Sequence, residues 1–216
     1  MDNFRRAWRQ VKAEDYEAHM AGIGQAQANA RLTAAWIEQL GERAGVLFAG
    51  CGPGQMLDWL PQELLQGREL VFTDLAESLL AKCAERLVAK GLEARTEVDD
   101  LEATSLVQVP PNVALVLVLE HTDWPKVLDA LVAWQAERVL VVTQENPPTL
   151  RGAVTPGISV PLTMQVFREE AKPHLIAHEE LQEAMEARGY ELLARRTEEV
   201  AHGKKMNGWE WAKRRG

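Results

Sequence analysis

The stretch that decides the fold is residues 45–54, which read GVLFAGCGPG. Its first half is a short apolar run, typical of a buried strand, and its second half is a glycine turn. Glycine lets a ligand approach the backbone closely, and the N-terminus of a following helix favours an anionic group. The stretch therefore predicts a strand, a turn and a helix, with a ligand held at the turn.

An alternation of strands and helices continues along the chain. Apolar segments predict further strands, and amphipathic segments predict helices between them. Strands that are apolar on both faces belong to a parallel sheet with helices on both sides. We expect strands at 69–73, 93–98, 112–119 and 138–143, and helices at 55–65, 77–90, 124–135 and 178–188.

The two ends of the chain depart from this alternation. The first forty residues have the periodicity of helices, whereas 190–200 and 209–214 have that of strands. The dipeptide Asn207-Gly208 is a hairpin turn signal, so these last strands are predicted to form an antiparallel pair. Segment 147–173 is rich in proline and glycine and predicts an irregular insertion over the carboxyl edge of the sheet.

Length and composition favour one globular domain. The chain has 216 residues, of which 46% are hydrophobic and 26% charged. A domain of this length buries roughly 70% of its unfolded surface and needs no covalent staple. We expect a single domain, 1–216, made of a helical cap (1–40), a cofactor-binding core (45–146), an insertion on the substrate side (147–178) and the last helix with the hairpin (179–216).

Several classes of protein are disfavoured. The longest apolar run, 113–119, is far shorter than the roughly 20 residues of a membrane helix. Cys51 and Cys83 are too few for a disulfide framework or a cysteine-rich zinc site. The net charge of -8 argues against extensive phosphate binding and so against nucleic acid as a partner, while the basic residues near both ends leave a local basic patch open. We therefore expect a cytoplasmic protein with no metal, no membrane insertion and a small-molecule partner, either a monomer or a homodimer.

Acidic residues follow the next two predicted strands. Asp74 lies twenty residues after Gly54, where a carboxylate can accept hydrogen bonds from ribose hydroxyls. Asp99-Asp100-Leu101 follows the third strand, where a carboxylate and an apolar side chain suit an adenine ring. A single aspartate at a strand end is often a helix cap. Their joint order is more specific and describes an adenosine-type ligand across the carboxyl edge of the sheet.

These segments resemble those of class I S-adenosylmethionine-dependent methyltransferases that act on small molecules. VLFAGCGPG (46–54) resembles their glycine motif, FTDL (72–75) their ribose-binding strand end, and VDDL (98–101) their adenine-contacting segment. LEHTD (119–123) resembles a segment common in the small-molecule members. The resemblance implies a Rossmann-like α/β fold, with a doubly wound seven-stranded sheet whose last strand runs antiparallel. It also implies methyl transfer by in-line displacement, with S-adenosylmethionine as cofactor and S-adenosylhomocysteine as product.

The resemblance assigns roles to individual residues. The glycine turn would hold the methionine part of the cofactor, Asp74 with Leu75 the ribose, and Asp100 with Leu101 the adenine. Leu115, near the end of the fourth strand, would lie under the cofactor, and Tyr16 would close the site from the N-terminal helices. The residues of the turn that we assign to the cofactor are Gly50, Cys51, Gly52 and Gly54.

One position departs from the family pattern. Phe48 stands two residues before the first glycine, where the family usually has Asp or Glu. That acid helps to hold the ammonium group of the cofactor. Its replacement leaves three alternatives open: weaker cofactor binding, a substitute carboxylate, or a lost activity.

His121 is the candidate catalytic residue. It follows the fourth strand, where the nucleophile of an acceptor would arrive, and a neutral imidazole can accept a proton from a hydroxyl or an amine. A histidine at the start of a helix also serves structural hydrogen bonds, so both interpretations stay open.

Two other functions share parts of this pattern. A nicotinamide-dependent oxidoreductase also has a glycine turn followed by an aspartate, but its third glycine would fall at Gln55. A non-catalytic protein that binds S-adenosylmethionine or acts as a scaffold fits the departure at Phe48. The first hypothesis is the methyltransferase, whose acceptor the sequence does not identify.

Overall fold

A mixed seven-stranded sheet with the order β3-β2-β1-β4-β5-β7-β6 forms the centre of the protein. The computed structural model describes residues 2–21, 24–148, 160–169 and 174–215. Strands β1 to β5 are parallel, and β7 runs antiparallel to both of its neighbours. The strands are β1 (Val46–Ala49), β2 (Leu70–Asp74), β3 (Arg95–Val98), β4 (Asn112–Val116), β5 (Arg138–Glu145), β6 (Tyr190–Glu199) and β7 (Lys205–Lys213).

Helices cover both faces of this sheet. The α-helices are α1 (Asp2–Gln10), α2 (Ala13–Ala21), α3 (Gln25–Ile37), α4 (Glu77–Ala89), α5 (Trp124–Ala133), α6 (Val166–Glu169) and α7 (His178–Ala187). No helix within the described ranges is long and apolar enough to cross a membrane.

The alternation of side chains along β1 shows how the sheet divides the core. Phe48 packs in one buried cluster with residues of α3 and α4, and Leu47 packs in a second cluster with residues of α5 and α7. Successive side chains of a strand point to opposite faces, so an entirely apolar strand requires cover on both sides. The doubly wound fold predicted from the sequence is confirmed, including the antiparallel last strand, β7, which lies between β5 and the edge strand β6.

The strand order also fixes where a ligand can bind. The chain runs from β1 outward to β2 and β3, and then crosses to β4 on the other side of β1. The loops after β1 and β4 therefore diverge and leave a crevice at the carboxyl ends of the strands. Open α/β sheets bind their ligands at such a switch point.

The single helix predicted at 55–65 is wrong. Two short 3-10 helices, Gln55–Asp58 and Gln62–Leu64, replace it, and Pro61 lies between them with an extended backbone. Proline has no backbone N–H and disfavours the helical conformation of the residue before it. Leu57 and Leu60 are nevertheless buried, as the apolar pattern required.

The hairpin turn is also misplaced in the sequence prediction. The chain turns at Ala201–Gly203, where His202 and Gly203 have φ angles of 63° and 70°, and Asn207 and Gly208 lie inside β7. Gly208 faces α3 so closely that an added Cβ would lie 3.2 Å from the side chain of Leu32. Tight packing of a helix on the strand, rather than a turn, accounts for this glycine.

The position of the turn can be tested with two alanine variants. We expect Gly203→Ala to lower the free energy of unfolding by about 1 kcal/mol, because its left-handed backbone is strained for any residue with a Cβ. Gly41→Ala is the matched control, since Gly41 has no positive φ and a Cβ there meets no atom within 4 Å. Denaturant titration measures both, and equal effects would contradict the assigned turn.

Candidate functional site

A cavity opens at the switch point, over the carboxyl ends of β1, β2 and β4. The N-terminal helices contribute Trp8, Tyr16 and Asn29 to its wall, and the sheet contributes the loops that follow the strands. Most of the residues predicted for the site lie together on this wall: Gly50, Cys51, Gly52, Asp74, Leu75, Asp100, Leu101, His121 and Tyr16.

The glycine turn combines close packing with an open side. An added Cβ at Gly50 would lie 2.5 Å from Val118, and one at Gly54 would lie 2.7 Å from the sulfur of Cys83. At Gly52 it would meet only the ring of Tyr16, at 3.8 Å. The outer glycines therefore let neighbouring elements approach, and the middle one leaves backbone exposed to the cavity.

The carboxylate of Asp74 connects this turn to the next strand. Its Oδ2 accepts a hydrogen bond from the backbone N–H of Gly52 at 2.8 Å, and its Oδ1 accepts one from Ala76 at 2.8 Å. Burial raises the pKa of Asp74 to about 6, although these hydrogen bonds act to lower it. A buried carboxylate with unused lone pairs is a suitable acceptor for hydroxyl donors.

The two aspartates after β3 have different surroundings. The Oδ1 of Asp100 accepts from the N–H of Glu102 at 3.1 Å, and its Oδ2 pairs with Arg5 of α1 at 3.0 Å. Asp99 is more deeply buried, and its Oδ1 accepts from Ser105 at 3.1 Å. Its Oδ2 has no hydrogen-bond partner within the described ranges. Both carboxylates reach the cavity wall, and a salt bridge connects α1 to this rim.

Aromatic rings close the side of the cavity that faces the N-terminal helices and the insertion. The ring of Trp8 lies 4.9 Å from that of His121, 4.6 Å from that of Phe167 and 5.7 Å from that of Tyr16, between centroids. Thr163, in the insertion, donates its hydroxyl to Asp15 of α2 at 2.6 Å. The described part of the insertion therefore packs against the helical cap. Residues 149–159 and 170–173 of the predicted insertion lie outside the described residues.

Two adjacent residues after β4 have opposite pKa shifts. Burial lowers the pKa of His121 to about 3, with a smaller contribution from His174. Burial raises the pKa of Glu120 to about 7, although its Oε1 accepts a hydrogen bond from the N–H of Gln144 at 2.8 Å. The imidazole is therefore neutral near pH 7 but is a weak proton acceptor.

Two predicted site residues lie elsewhere. Leu115 is fully buried in the cluster on the α5 and α7 face of the sheet, because neighbouring residues of a strand point to opposite sides, and Ala114 and Val116 line the cavity instead. Gly54 is buried against Cys83 of α4 and serves packing. The structure thus does not place either residue on the cavity wall.

Sequence reasoning missed Arg5, Trp8 and Asn29, which all line the cavity. They belong to helices that lie far from the glycine turn in sequence, and no local motif connects them with it. Phe167 of the insertion likewise has no local motif that connects it with the glycine turn. Its contacts with Trp8 and His121 depend on the tertiary packing of the cap.

A comparison with protein families identifies the core. Residues 46–140 match a family model that is described as a methyltransferase domain. The matched region runs from β1 into β5 and includes the glycine turn, Asp74 and Asp100. The resemblance found in the sequence motifs is thereby confirmed.

Solved structures with the same fold include enzymes of different reactions. This chain resembles magnesium protoporphyrin IX methyltransferase from Synechocystis PCC 6803 with bound SAM, with a TM-score of 0.66 and 15% identity over 99% of this chain and 90% of that chain. A second similar structure is 1,6-didemethyltoxoflavin-N1-methyltransferase from Burkholderia thailandensis, with a TM-score of 0.63 and 18% identity over 88% of this chain and 80% of that chain. The cyclase SpnF is also similar, with a TM-score of 0.63 and 13% identity over 87% of this chain and 82% of that chain.

These structural similarities establish the fold. The reaction has to be argued from the site, since one fold hosts many functions. No curated protein matches the sequence at a significant level.

The state of His121 has a consequence for stability. Its folded-state pKa of about 3 lies below the ordinary value of 6.5, so the unfolded chain binds a proton in this range and the folded chain does not. We expect the free energy of unfolding of the wild type to fall by about 1–2 kcal/mol relative to His121→Gln as the pH drops from 7 to 5. Denaturant titrations at both pH values measure this, and parallel curves would contradict a buried neutral imidazole.

Proposed function

We propose that this protein is an S-adenosylmethionine-dependent methyltransferase that acts on a small-molecule acceptor. The observation that carries the proposal is the Asp74 carboxylate, which the N–H groups of Gly52 and Ala76 hold beside the glycine turn of a methyltransferase domain. The cofactor supplies a methyl group on a positively charged sulfur, which an acceptor displaces in line.

The residues on the cavity wall fit this cofactor. Asp74 has lone pairs available for ribose hydroxyls, and the buried Asp99 offers an unpartnered carboxylate oxygen near the predicted adenine segment. Gly52 leaves open space at the turn, where a ligand can contact the backbone. These features support S-adenosylmethionine, with Asp74 and Leu75 at the ribose and Asp100 and Leu101 at the adenine.

The acceptor would bind among the aromatic rings. Trp8, His121 and Phe167 belong to three separate elements and meet at one side of the cavity. Such a surface excludes water and orients an acceptor, which are the main contributions of a protein to this transfer. Because His121 is neutral and weakly basic, we propose that it positions the acceptor by a hydrogen bond.

Tyr16 would contact both ligands. Its ring lies 5.7 Å from that of Trp8 and next to Gly52, so it stands between the acceptor side and the glycine turn. Burial and the nearby Asp74 and Glu120 raise the pKa of its hydroxyl. The phenol therefore stays protonated and can donate a hydrogen bond.

Calorimetric titration with S-adenosylhomocysteine tests the cofactor. We expect micromolar affinity in the wild type and a loss of at least about tenfold in Asp74→Ala, because bonds to a charged acceptor are lost. Asp129→Ala is the matched control, since Asp129 is exposed on α5, pairs with Arg188 at 2.8 Å and lies outside the cavity wall. Binding of NADH instead of S-adenosylhomocysteine would favour the oxidoreductase.

The affinity should also depend on pH. Hydroxyl groups bind the ionised carboxylate, and the pKa of Asp74 is about 6, so the binding-competent fraction falls as the pH drops through this value. We expect S-adenosylhomocysteine to bind about tenfold more weakly at pH 5 than at pH 7.5. An affinity that is constant over this range would contradict the assigned role of Asp74, and residual binding by Asp74→Ala should lack this dependence.

The other expectations stay predictions. They comprise the internal division of the domain, the cytoplasmic location, the monomeric or homodimeric state, and the absence of nucleic acid and metal as partners. The acceptor atom that receives the methyl group, whether oxygen, nitrogen, carbon or sulfur, also stays open.

A further inference from the structure

The position of the missing acid is filled by an aromatic stack. Phe48 is 1% exposed, and its ring lies parallel to that of Phe72, with 4.5 Å between centroids and 9° between planes. Phe48 also lines the cavity. The end of β1 therefore presents an apolar surface to the ligand, where the resemblance implies an acid that holds an ammonium group.

A polar side chain of α3 reaches the same cavity. Asn29 lines its wall and is 5% exposed. The side-chain oxygen of Asn29 is shielded from solvent and has no hydrogen-bond partner within the described ranges. A buried amide oxygen without a donor is costly to a fold, so a ligand that supplies a donor would satisfy it.

The contacts of α3 show which end of the cavity Asn29 faces. Ala26 lies one turn before it and also lines the cavity. Thr33 lies one turn after it, and its hydroxyl contacts the sulfur of Met56 at 3.8 Å. Met56 belongs to the 3-10 helix that begins directly after Gly54. The part of α3 that carries Asn29 therefore faces the segment directly after the glycine turn, and the turn is the part of the site assigned to the methionine portion of the cofactor.

The carboxylates of the cavity lie at other positions. Asp74 ends β2, and Asp99, Asp100 and Glu102 follow β3. Glu120 is buried but is not part of the described cavity wall, and its Oε1 already accepts from Gln144. Helix α3 contributes Ala26 and Asn29 to the described wall, and of these two only Asn29 has a side-chain oxygen that can accept from a cationic donor.

We propose that Asn29 replaces the missing acid and accepts a hydrogen bond from the ammonium group of S-adenosylmethionine. This inference rests on the proposed function. A neutral amide oxygen accepts the ammonium N–H but makes no ion pair with it, and hydrogen bonds between two charged groups are stronger. The protein therefore recognises the amino-acid part of its cofactor by a helix side chain and without a formal negative charge at β1.

The test compares two ligands that differ in this part only. S-adenosylhomocysteine carries the ammonium group, whereas 5′-methylthioadenosine keeps the adenine and the ribose and lacks the amino-acid portion. We expect Asn29→Leu to weaken S-adenosylhomocysteine about tenfold or more and to change the affinity for 5′-methylthioadenosine less than about twofold. Calorimetry on the full chain gives both dissociation constants, and their ratio cancels a general loss of folded protein.

A second variant tests the sign of the interaction. Asn29→Asp places a carboxylate at the same position and should tighten S-adenosylhomocysteine about threefold or more, with little effect on 5′-methylthioadenosine. The matched control is Thr33→Val, which removes a buried hydroxyl one turn away that does not line the cavity. Thr33→Val should leave both affinities unchanged.

Different failures point to different errors. If Asn29→Leu weakens both ligands equally or neither, Asn29 does not recognise the amino-acid part and the inference is overturned. If both Asn29 variants weaken S-adenosylhomocysteine, the amide meets the ligand's carboxylate and the assignment to the ammonium is overturned. If the wild type binds neither ligand, the proposed function fails together with this inference.

Discussion

The buried carboxylate of Asp74 is the interaction on which the site depends. It ends β2, and it accepts hydrogen bonds from Gly52 in the turn after β1 and from Ala76 at the start of α4. Two loops from neighbouring strands are thereby fixed to one side chain. Burial of a carboxylate is costly, and two backbone donors offset part of this cost while leaving lone pairs for a ligand. The group that fixes the shape of the turn is therefore also the group that we propose contacts the ribose.

The cap completes what the sheet leaves open. Arg5 pairs with Asp100 and Glu102 after β3, Trp8 packs against His121 after β4, and Thr163 connects the insertion to α2. The first two contacts join α1, which lies outside the matched region, to the carboxyl edge of the sheet, and the third joins the insertion to the helical cap. The proposed function places the acceptor beside the aromatic rings of the cap and the insertion, and the cofactor at the strand ends. The related structures have different reactions on the same fold, so the fold alone does not determine the reaction.

The sequence predicted the parts of this arrangement that have a local signal. Strand alternation, the glycine turn and Asp74 follow from short patterns, because each is determined by the residues next to it. The continuous helix expected at 55–65 does not form. The apolar spacing predicts it, but Pro61 interrupts the backbone between two short 3-10 helices. The Asn-Gly signal failed because Gly208 is required for close packing against Leu32 of α3, which lies far earlier in the chain and leaves no local signal. Leu115 was predicted on the wrong face of the sheet. Side chains alternate along a strand, and the sequence alone does not show which of two neighbouring residues of β4 faces the cavity.

Arg5, Trp8 and Asn29 have no local signal, since only the tertiary fold brings α1 and α3 to the cavity.

Phe48 and Asn29 illustrate how a site can change its chemistry without changing its fold. A carboxylate at position 48 would have to be buried beside Phe72 in a cluster that is otherwise apolar, and such a charge is stable only with a permanent partner. The aromatic stack strengthens the core beneath the cavity instead, and the proposed recognition of the ammonium group falls to a side chain of α3, which packs on the same face of the sheet. A neutral acceptor on α3 binds the ammonium group less tightly than an acid would. Without a bound ligand, however, burying an unpaired amide destabilises the folded protein far less than burying an unpaired carboxylate. The exchange therefore favours the stability of the free protein over the affinity for its cofactor.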